Sequence, residues 1–298
     1  MIVAAIDLGT NTTRLLVARA EDGRIDELHR ESRITRLGEG VDARGRLLPV
    51  PIARVRNVLS DYRRTAEAHE SERTLLVATS AVRDAENGEA FLGEIEWSYG
   101  FATRLLSGDD EAQLTRRGVG GLEAGTLLVD IGGGSTELVL DDVRSSLPAG
   151  SVRFTERHGE DVAATIEATG LLLPELEPSR AVGVARTITT LAALDLGLTE
   201  YDRERVHGHI LTREGARAQL ERLAGLPLAE RRRVPAIDPE RAPVIVAGGA
   251  ILLAILDSYE LESIRVSERD LLDGAALAAA ELPAPDEGAA PPGAYTCC

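Results

Sequence analysis

The chain has 298 residues, enough for one large or two medium domains with a real core, and its hydrophobic (44%) and charged (28%) fractions are those of an ordinary globular protein. Its net charge of −16 disfavours nonspecific binding to nucleic acid or to an anionic membrane. It has no Lys, so every cation in the Lys+Arg count of 33 is Arg, which excludes a P-loop Lys, a kinase strand Lys and a Schiff-base Lys.

In chain order, Met1 leads straight into an apolar run ending at Asp7, which reads as a first strand rather than a signal peptide and makes a cytoplasmic location the default. A Gly, Thr and Asn turn follows over 9–13, then a second strand over 14–17. Ile52, Val55, Val58 and Leu59 share one face of a helix over 51–70. A strand over 74–78, a helix over 87–97 and a strand over 102–106 come next. The helix over 109–119 has Ser107 as N-cap and acidic residues in its first turn. Gly118-Val119-Gly120-Gly121 is a natural hinge, so the expected domains are 1–121 and 122–282.

The second half opens on a strand reaching Asp130, a glycine turn over 132–135 and a second strand to Leu140. A strand over 181–184 and helices over 188–196 and 214–226 follow. The segment 244–259 is too short and too Gly-rich for a membrane span; it starts as an apolar stretch and becomes a helix past Gly248-Gly249. A strand over 264–266 and a helix over 271–280 close the folded part. From 283 on, Pro, Ala and Gly dominate, so a disordered tail is expected there, and Cys297 and Cys298 within it cannot staple a core. His207 and His209 flank Gly208 with no carboxylate placed to complete a metal site, and read as loop residues.

The most informative feature is an internal echo: the segment from Ile6 to Val17 is matched by that from Val129 to Leu140. Each copy is an apolar strand ending in Asp, a turn rich in Gly and hydroxyls, and a second apolar strand. Two such hairpins suggest a duplicated α/β domain whose halves face each other. Turns poor in side chains let backbone N–H groups converge on an anion. Gly9, Thr10, Asn11 and Thr12 in one turn, and Gly132, Gly133, Gly134 and Ser135 in the other, are the candidate phosphate-binding residues. Asp7 and Asp130 each close a buried strand, where a carboxylate is costly unless paired or metal-bound, so they are candidate Mg²⁺ residues acting through waters. Glu137 is either a third, outer-sphere metal residue or an exposed strand residue. From pattern alone, Glu111 is an acidic residue in the first turn of a helix and Arg83 a solvated loop cation.

Further segments carry a resemblance: Ala78-Thr79-Ser80-Ala81-Val82-Arg83, Leu106-Ser107-Gly108-Asp109-Asp110-Glu111-Ala112, Pro148-Ala149-Gly150-Ser151-Val152-Arg153, Val246-Ala247-Gly248-Gly249 and Val266-Ser267-Glu268-Arg269. With the two hairpins they resemble the exopolyphosphatase and guanosine pentaphosphate phosphohydrolase (Ppx/GppA) family of the actin-like ATPase and sugar kinase superfamily, over nearly the whole chain. The resemblance implies an α/β fold of two ribonuclease H-like domains with an interdomain active-site cleft. It implies that Glu111 activates the attacking water, that Arg83 contacts the phosphates, and that Asp130 completes the catalytic set. Asp109 and Asp110 are expected to raise the pKa of Glu111 by repulsion. Arg14 is a weaker candidate.

The implied substrates are inorganic polyphosphate or guanosine pentaphosphate, with Mg²⁺ or Mn²⁺, no nucleic acid and no membrane; the oligomeric state, a homodimer included, stays open. A kinase of the same superfold and a non-catalytic sensor of the same ligands are the rivals. The acidic balance, offset near the site only by arginines such as Arg83, Arg104 and Arg116, and the absence of the further helical domains of long members, favour short chains. One departure stands out: Arg186 sits where the family usually has Gly. Either the backbone there strains an Arg, or Arg186 reaches the substrate.

Overall fold

The computed structural model describes residues 1–283; Cys297, Cys298 and nearly all of the expected tail lie outside the described residues. The first part of the chain forms β1 (Ile2–Leu8), β2 (Thr12–Glu21), β3 (Arg24–Ile34), α1 (Val41–Arg44), α2 (Pro49–Ala68), β4 (Arg73–Ala78), α3 (Ser80–Arg83), α4 (Gly88–Tyr99), β5 (Ala102–Leu105) and α5 (Gly108–Val119). The second part forms β6 (Thr126–Ile131), β7 (Thr136–Leu140), β8 (Val143–Leu147), α6 (Ser151–His158), α7 (Val162–Gly170), β9 (Arg180–Val184), α8 (Ala185–Asp195), α9 (Arg203–Val206), β10 (Ile210–Thr212), α10 (Arg213–Ala224), α11 (Leu228–Arg231), α12 (Ile245–Ser258) and β11 (Ser263–Val266). The chain then ends its described part with α13 (Leu271–Ala279).

The chain divides into two compact units, Met1–Val119 together with the residues from Leu271 on, and Gly120–Asp270. The units divide between Val119 and Gly120, beside the boundary expected at 121, and α13, assigned from sequence to the second domain, falls in the first. Leu271, Leu272, Ala275 and Ala276 bury against Val3, Ala5, Leu16 and Val77, covering one face of the first sheet. Burial of this kind contributes about 1.5–3 kcal/mol per large aliphatic side chain, and the small residues of α13 let it approach the sheet closely. No sequence signal distinguishes which sheet such an apolar helix will cover.

The two sheets repeat one plan. The first has the order β3-β2-β1-β4-β5; the second has β8-β7-β6-β9-β11, extended by β10 at its edge. In both, the first three strands in sequence run antiparallel and two later ones join in parallel, β4 and β5 in the first sheet and β9 and β11 in the second, while β10 pairs antiparallel with β11. The crossovers are helical, as parallel pairing requires. In the first unit, α2 places Val55, Val58, Leu59, Tyr62 and Ala66 on the core, and the buried Tyr62 hydroxyl donates to the Thr13 carbonyl at 2.9 Å. In the second, α12 is apolar all round and buried all round, packing on α6, α7, α8 and α10. Gly248 and Gly249 lie inside that helix rather than before it: a Cβ at Gly248 would meet the Thr187 side chain at 2.6 Å, so glycine there permits close packing. No described helix is long and apolar enough to cross a membrane.

Candidate functional site

The echo in the sequence is an echo in atoms. Each hairpin closes with the first glycine donating its N–H to the carbonyl three residues on: Gly9 to Thr12 at 3.1 Å, and Gly132 to Ser135 at 3.0 Å. A Cβ on Gly9 would lie 2.9 Å from that Thr12 oxygen, and on Gly132 3.1 Å from the Ser135 oxygen, so the same close approach calls for glycine at both places. Strand β1 delivers Asp7 to the mouth of the first turn and β6 delivers Asp130 to the mouth of the second; both are buried.

Each turn is held from behind. The Thr10 carbonyl accepts from Gly38 N–H at 2.8 Å, and that of Asn11 accepts from the N–H groups of Thr35 and Arg36. In the second turn, Gly132 O accepts from Ser151 N–H, and Gly133 O from the N–H groups of Val152 and Arg153. Gly134 O accepts from Arg153 Nε at 2.7 Å. A trans peptide holds its N–H opposite its C=O. Pulling three successive carbonyls toward α6 therefore turns the N–H groups of Gly133, Gly134 and Ser135 to the other side, where none donates to a backbone acceptor among the described residues. That is the construction of an anion nest. In addition, Asn11 Nδ2 in one turn and Ser135 Oγ in the other are buried with no hydrogen-bond partner among the described residues, a costly state unless a ligand supplies one.

Around the first turn, Thr10 Oγ1 hydrogen-bonds Ser80 Oγ at 2.9 Å, which links the turn to α3. Arg83 ends α3 and donates through NH1 to Leu106 O at 2.8 Å and to Glu111 Oε2 at 3.2 Å. Glu111 is 7% exposed, in the first turn of α5. Arg83 and Glu111, far apart in sequence, thus meet. The first turn of α5 is fixed by reciprocal bonds: Ser107 Oγ donates to Asp110 Oδ2 and accepts from Asp110 N–H, while Ser107 N–H also donates to that carboxylate. This is a capping box with Asp in the acidic role. The Ser107 hydrogen bond holds the Asp110 carboxyl below the usual carboxylate range, so Asp110 caps the helix as a carboxylate.

The carboxylates at the two turns differ. Asp7 stands across the β1–β2 ladder from Arg14, whose Nε and NH2 reach Asp7 Oδ2 at 2.8 and 2.6 Å. Asp130 stands across the β6–β7 ladder from Glu137, which is 1% exposed and accepts from Ser146 Oγ at 2.8 Å. Glu137 is thus a buried residue beside Asp130, not an exposed strand residue. Among the described residues no group of three or more His, Cys, Asp or Glu side chains is arranged to hold a metal ion. Asp130 and Glu137, opposed on the β6–β7 ladder, are the carboxylates whose chemistry could take a divalent cation. Asp7, proposed from sequence for the same task, has its charge met by Arg14, a residue given little weight there. Comparing position seven after the Asp in each copy would have shown the difference.

The backbone at Arg186 is not the strained one. The left-handed backbone falls on Ala185, at φ +64°, one residue earlier. The Arg186 guanidinium lies over the Tyr201 ring, 4.2 Å from its centroid. Burial pushes the Tyr201 hydroxyl well above its usual pKa, and that hydroxyl donates to the Glu268 carboxylate. His209 Nε2 pairs with Asp195 at 2.8 Å, and His207 Nδ1 accepts from Glu268 N–H.

The model of the Ppx/GppA phosphatase family matches residues 16–281. Exopolyphosphatase 2 of Mycobacterium tuberculosis is 37% identical, over 93% of this chain and 98% of that one. A guanosine-5'-triphosphate,3'-diphosphate pyrophosphatase of Vibrio atlanticus is 30% identical over 92% of this chain, covering 58% of its own length. Among solved structures, an exopolyphosphatase-like protein superimposes with a TM-score of 0.85 at 32% identity, over 92% of this chain and 97% of that one. The PPX-GPPA enzyme of Aquifex aeolicus gives 0.78 at 32%, over 93% and 99%. The duplicated α/β units are those of the actin-like ATPase fold.

Proposed function

The chain belongs to the Ppx/GppA phosphatase family, and from that premise we propose that it is an exopolyphosphatase, hydrolysing the terminal phosphoanhydride of inorganic polyphosphate and releasing orthophosphate. The observation that carries the reading is the second glycine turn, whose carbonyls are tied back so that successive N–H groups are presented to an anion. Glu111 takes a proton from the attacking water while the water oxygen bonds to the terminal phosphorus. The bridging P–O bond breaks and its electron pair leaves on the shortened chain. Arg83, already in contact with Glu111, orients that carboxylate and offsets charge on the phosphoryl oxygens. In the second unit the nest at 133–135 and Ser135 Oγ offer donors to phosphate oxygens, and in the first unit Asn11 Nδ2 does so. A divalent ion, Mg²⁺ or Mn²⁺, held by Asp130 and Glu137, would neutralise further phosphate charge.

A net charge of −16 favours short chains over long ones, because each added phosphate must be drawn toward an acidic protein. Guanosine pentaphosphate is the second substrate reading, supported by the Vibrio relative. The test is phosphate release from short polyphosphate, long polyphosphate and guanosine pentaphosphate, side by side, with Mg²⁺ or Mn²⁺. Release from short polyphosphate without an acceptor is expected. Binding of these ligands with no release from any would leave a sensor, and transfer only to an added acceptor would leave a kinase. We further propose a cytoplasmic location, in keeping with this substrate class.

A further inference from the structure

Helix α6 covers the back of the second glycine turn so closely that a Cβ on its N-cap, Gly150, would lie 2.4 Å from Gly133 O. Its free N-terminal N–H groups serve as donors to the turn. Ser151 takes Gly132 O; Val152 and Arg153 take Gly133 O. There the supply ends, because the next N–H, Phe154, already bonds Gly150 O inside the helix at 2.8 Å. The third carbonyl, Gly134 O, is reached instead by a side chain, Arg153 Nε at 2.7 Å.

We propose that Arg153 is a positioning residue of the phosphate site: its guanidinium fixes the Gly134–Ser135 peptide so that the Ser135 N–H joins those of Gly133 and Gly134 in gripping a phosphate of the substrate. The proposal rests on the phosphohydrolase reading for its substrate but not for its geometry. Without Arg153 the third peptide has no side-chain donor on its carbonyl and is free to rotate. A planar guanidinium is charged at all relevant pH values and strengthens its hydrogen bond to the carbonyl. The first turn needs no such device, since its two tied carbonyls, Thr10 O and Asn11 O, are both met by backbone N–H groups of residues 35–38.

The experiment is an amide NMR titration of the isotopically labelled full chain with inorganic tripolyphosphate, comparing the parent with Arg153→Met and Arg153→Lys. In the parent, the Gly133, Gly134 and Ser135 amide signals should all move. In Arg153→Met the Ser135 response should vanish while those of Gly133 and Gly134 persist, with the dissociation constant raised about tenfold, the loss of one hydrogen bond to an anion. Arg153→Lys, which keeps one donor, should restore part of both, and serves alone if Arg153→Met does not fold. A full Ser135 response at parental affinity in the variants would overturn the proposal. So would an equal loss at all three amides, which marks a merely structural role, or a parent whose three amides ignore tripolyphosphate. A parent that shows the three responses but releases no phosphate from any substrate removes the hydrolase reading and leaves Arg153 standing.

Discussion

In the first hairpin, Asp7 looks across the ladder at Arg14; in the second, Asp130 looks across at Glu137. The backbone is otherwise one design, down to the glycine N–H that closes each turn. Opposite charges facing across antiparallel strands stabilise a sheet, and like charges directly opposed destabilise it. Two buried carboxylates side by side are worse still, since each is costly to take from water. The first hairpin therefore opposes its Asp with a guanidinium, while the second opposes two acids, which on the function proposed above would take a divalent cation. Within the echo the two copies differ in charge at one position, seven residues after the Asp, which is Arg14 in the first and Glu137 in the second. The first unit also holds Glu111 and Arg83, the groups proposed to react. Chemistry should thus depend most on the first unit and cation demand on the second.

The largest expected effect breaks that division at its chemical end. Glu111→Gln preserves shape but cannot accept a proton as a carboxylate does, so kcat should fall about 10³-fold. Tripolyphosphate binding, read by calorimetry, should stay near the parental value. Turnover equal to the parent's would remove the base from the first unit and with it half of the contrast.

The contrast itself is sharpened by neutralising one acid in each hairpin. Glu137→Gln should raise the half-saturating Mg²⁺ or Mn²⁺ concentration roughly 10- to 100-fold. Asp7→Asn should leave that metal requirement alone and instead strand Arg14, whose side chain is only 15% exposed. Breaking a buried pair by removing one partner costs about 3 kcal/mol, measurable as a lower urea midpoint. Equal shifts in metal requirement for both variants would show the two hairpins to be interchangeable.

How much of this could be read in the sequence follows from which interactions are local. The hairpins, the boundary at Gly120 and the α5 cap lie within short stretches, and pattern reveals them. The place of α13 was hidden, because an apolar helix suits either sheet. So was the tie from Arg153 to Gly134, which depends on how α6 docks rather than on what Arg153 is. The run Arg231-Arg232-Arg233 makes the same point. Arg231 alone is fully buried, donating to the carbonyls of Leu223, Leu226 and Ala242 and pairing with Glu160, and nothing in three identical residues marks which one turns inward. The Arg83–Glu111 contact was hidden too, since 28 residues separate the two partners and the family resemblance gave each a role without joining them.

The smallest effect probes how the first unit holds its base without touching it. Ser107→Ala removes the hydroxyl that both accepts from Asp110 N–H and donates to its carboxylate, leaving Glu111 on a less firmly wound first turn. Loss of such a cap costs about 1 kcal/mol, and the exposure of Ser107 and Asp110 to solvent keeps it at that level or below. The sign with pH follows from the depressed Asp110 pKa. Stability from this carboxylate is present above its unfolded value of about 3.9 and is lost as pH falls through the lower folded value. The gap between Ser107→Ala and parent in urea unfolding should therefore be widest near pH 7 and narrow below pH 4. A modest fall in kcat should accompany it, with the metal requirement untouched, since the cap belongs to the base-bearing unit. A change in metal requirement instead would tie α5 to the cation, against the division of labour between the two hairpins.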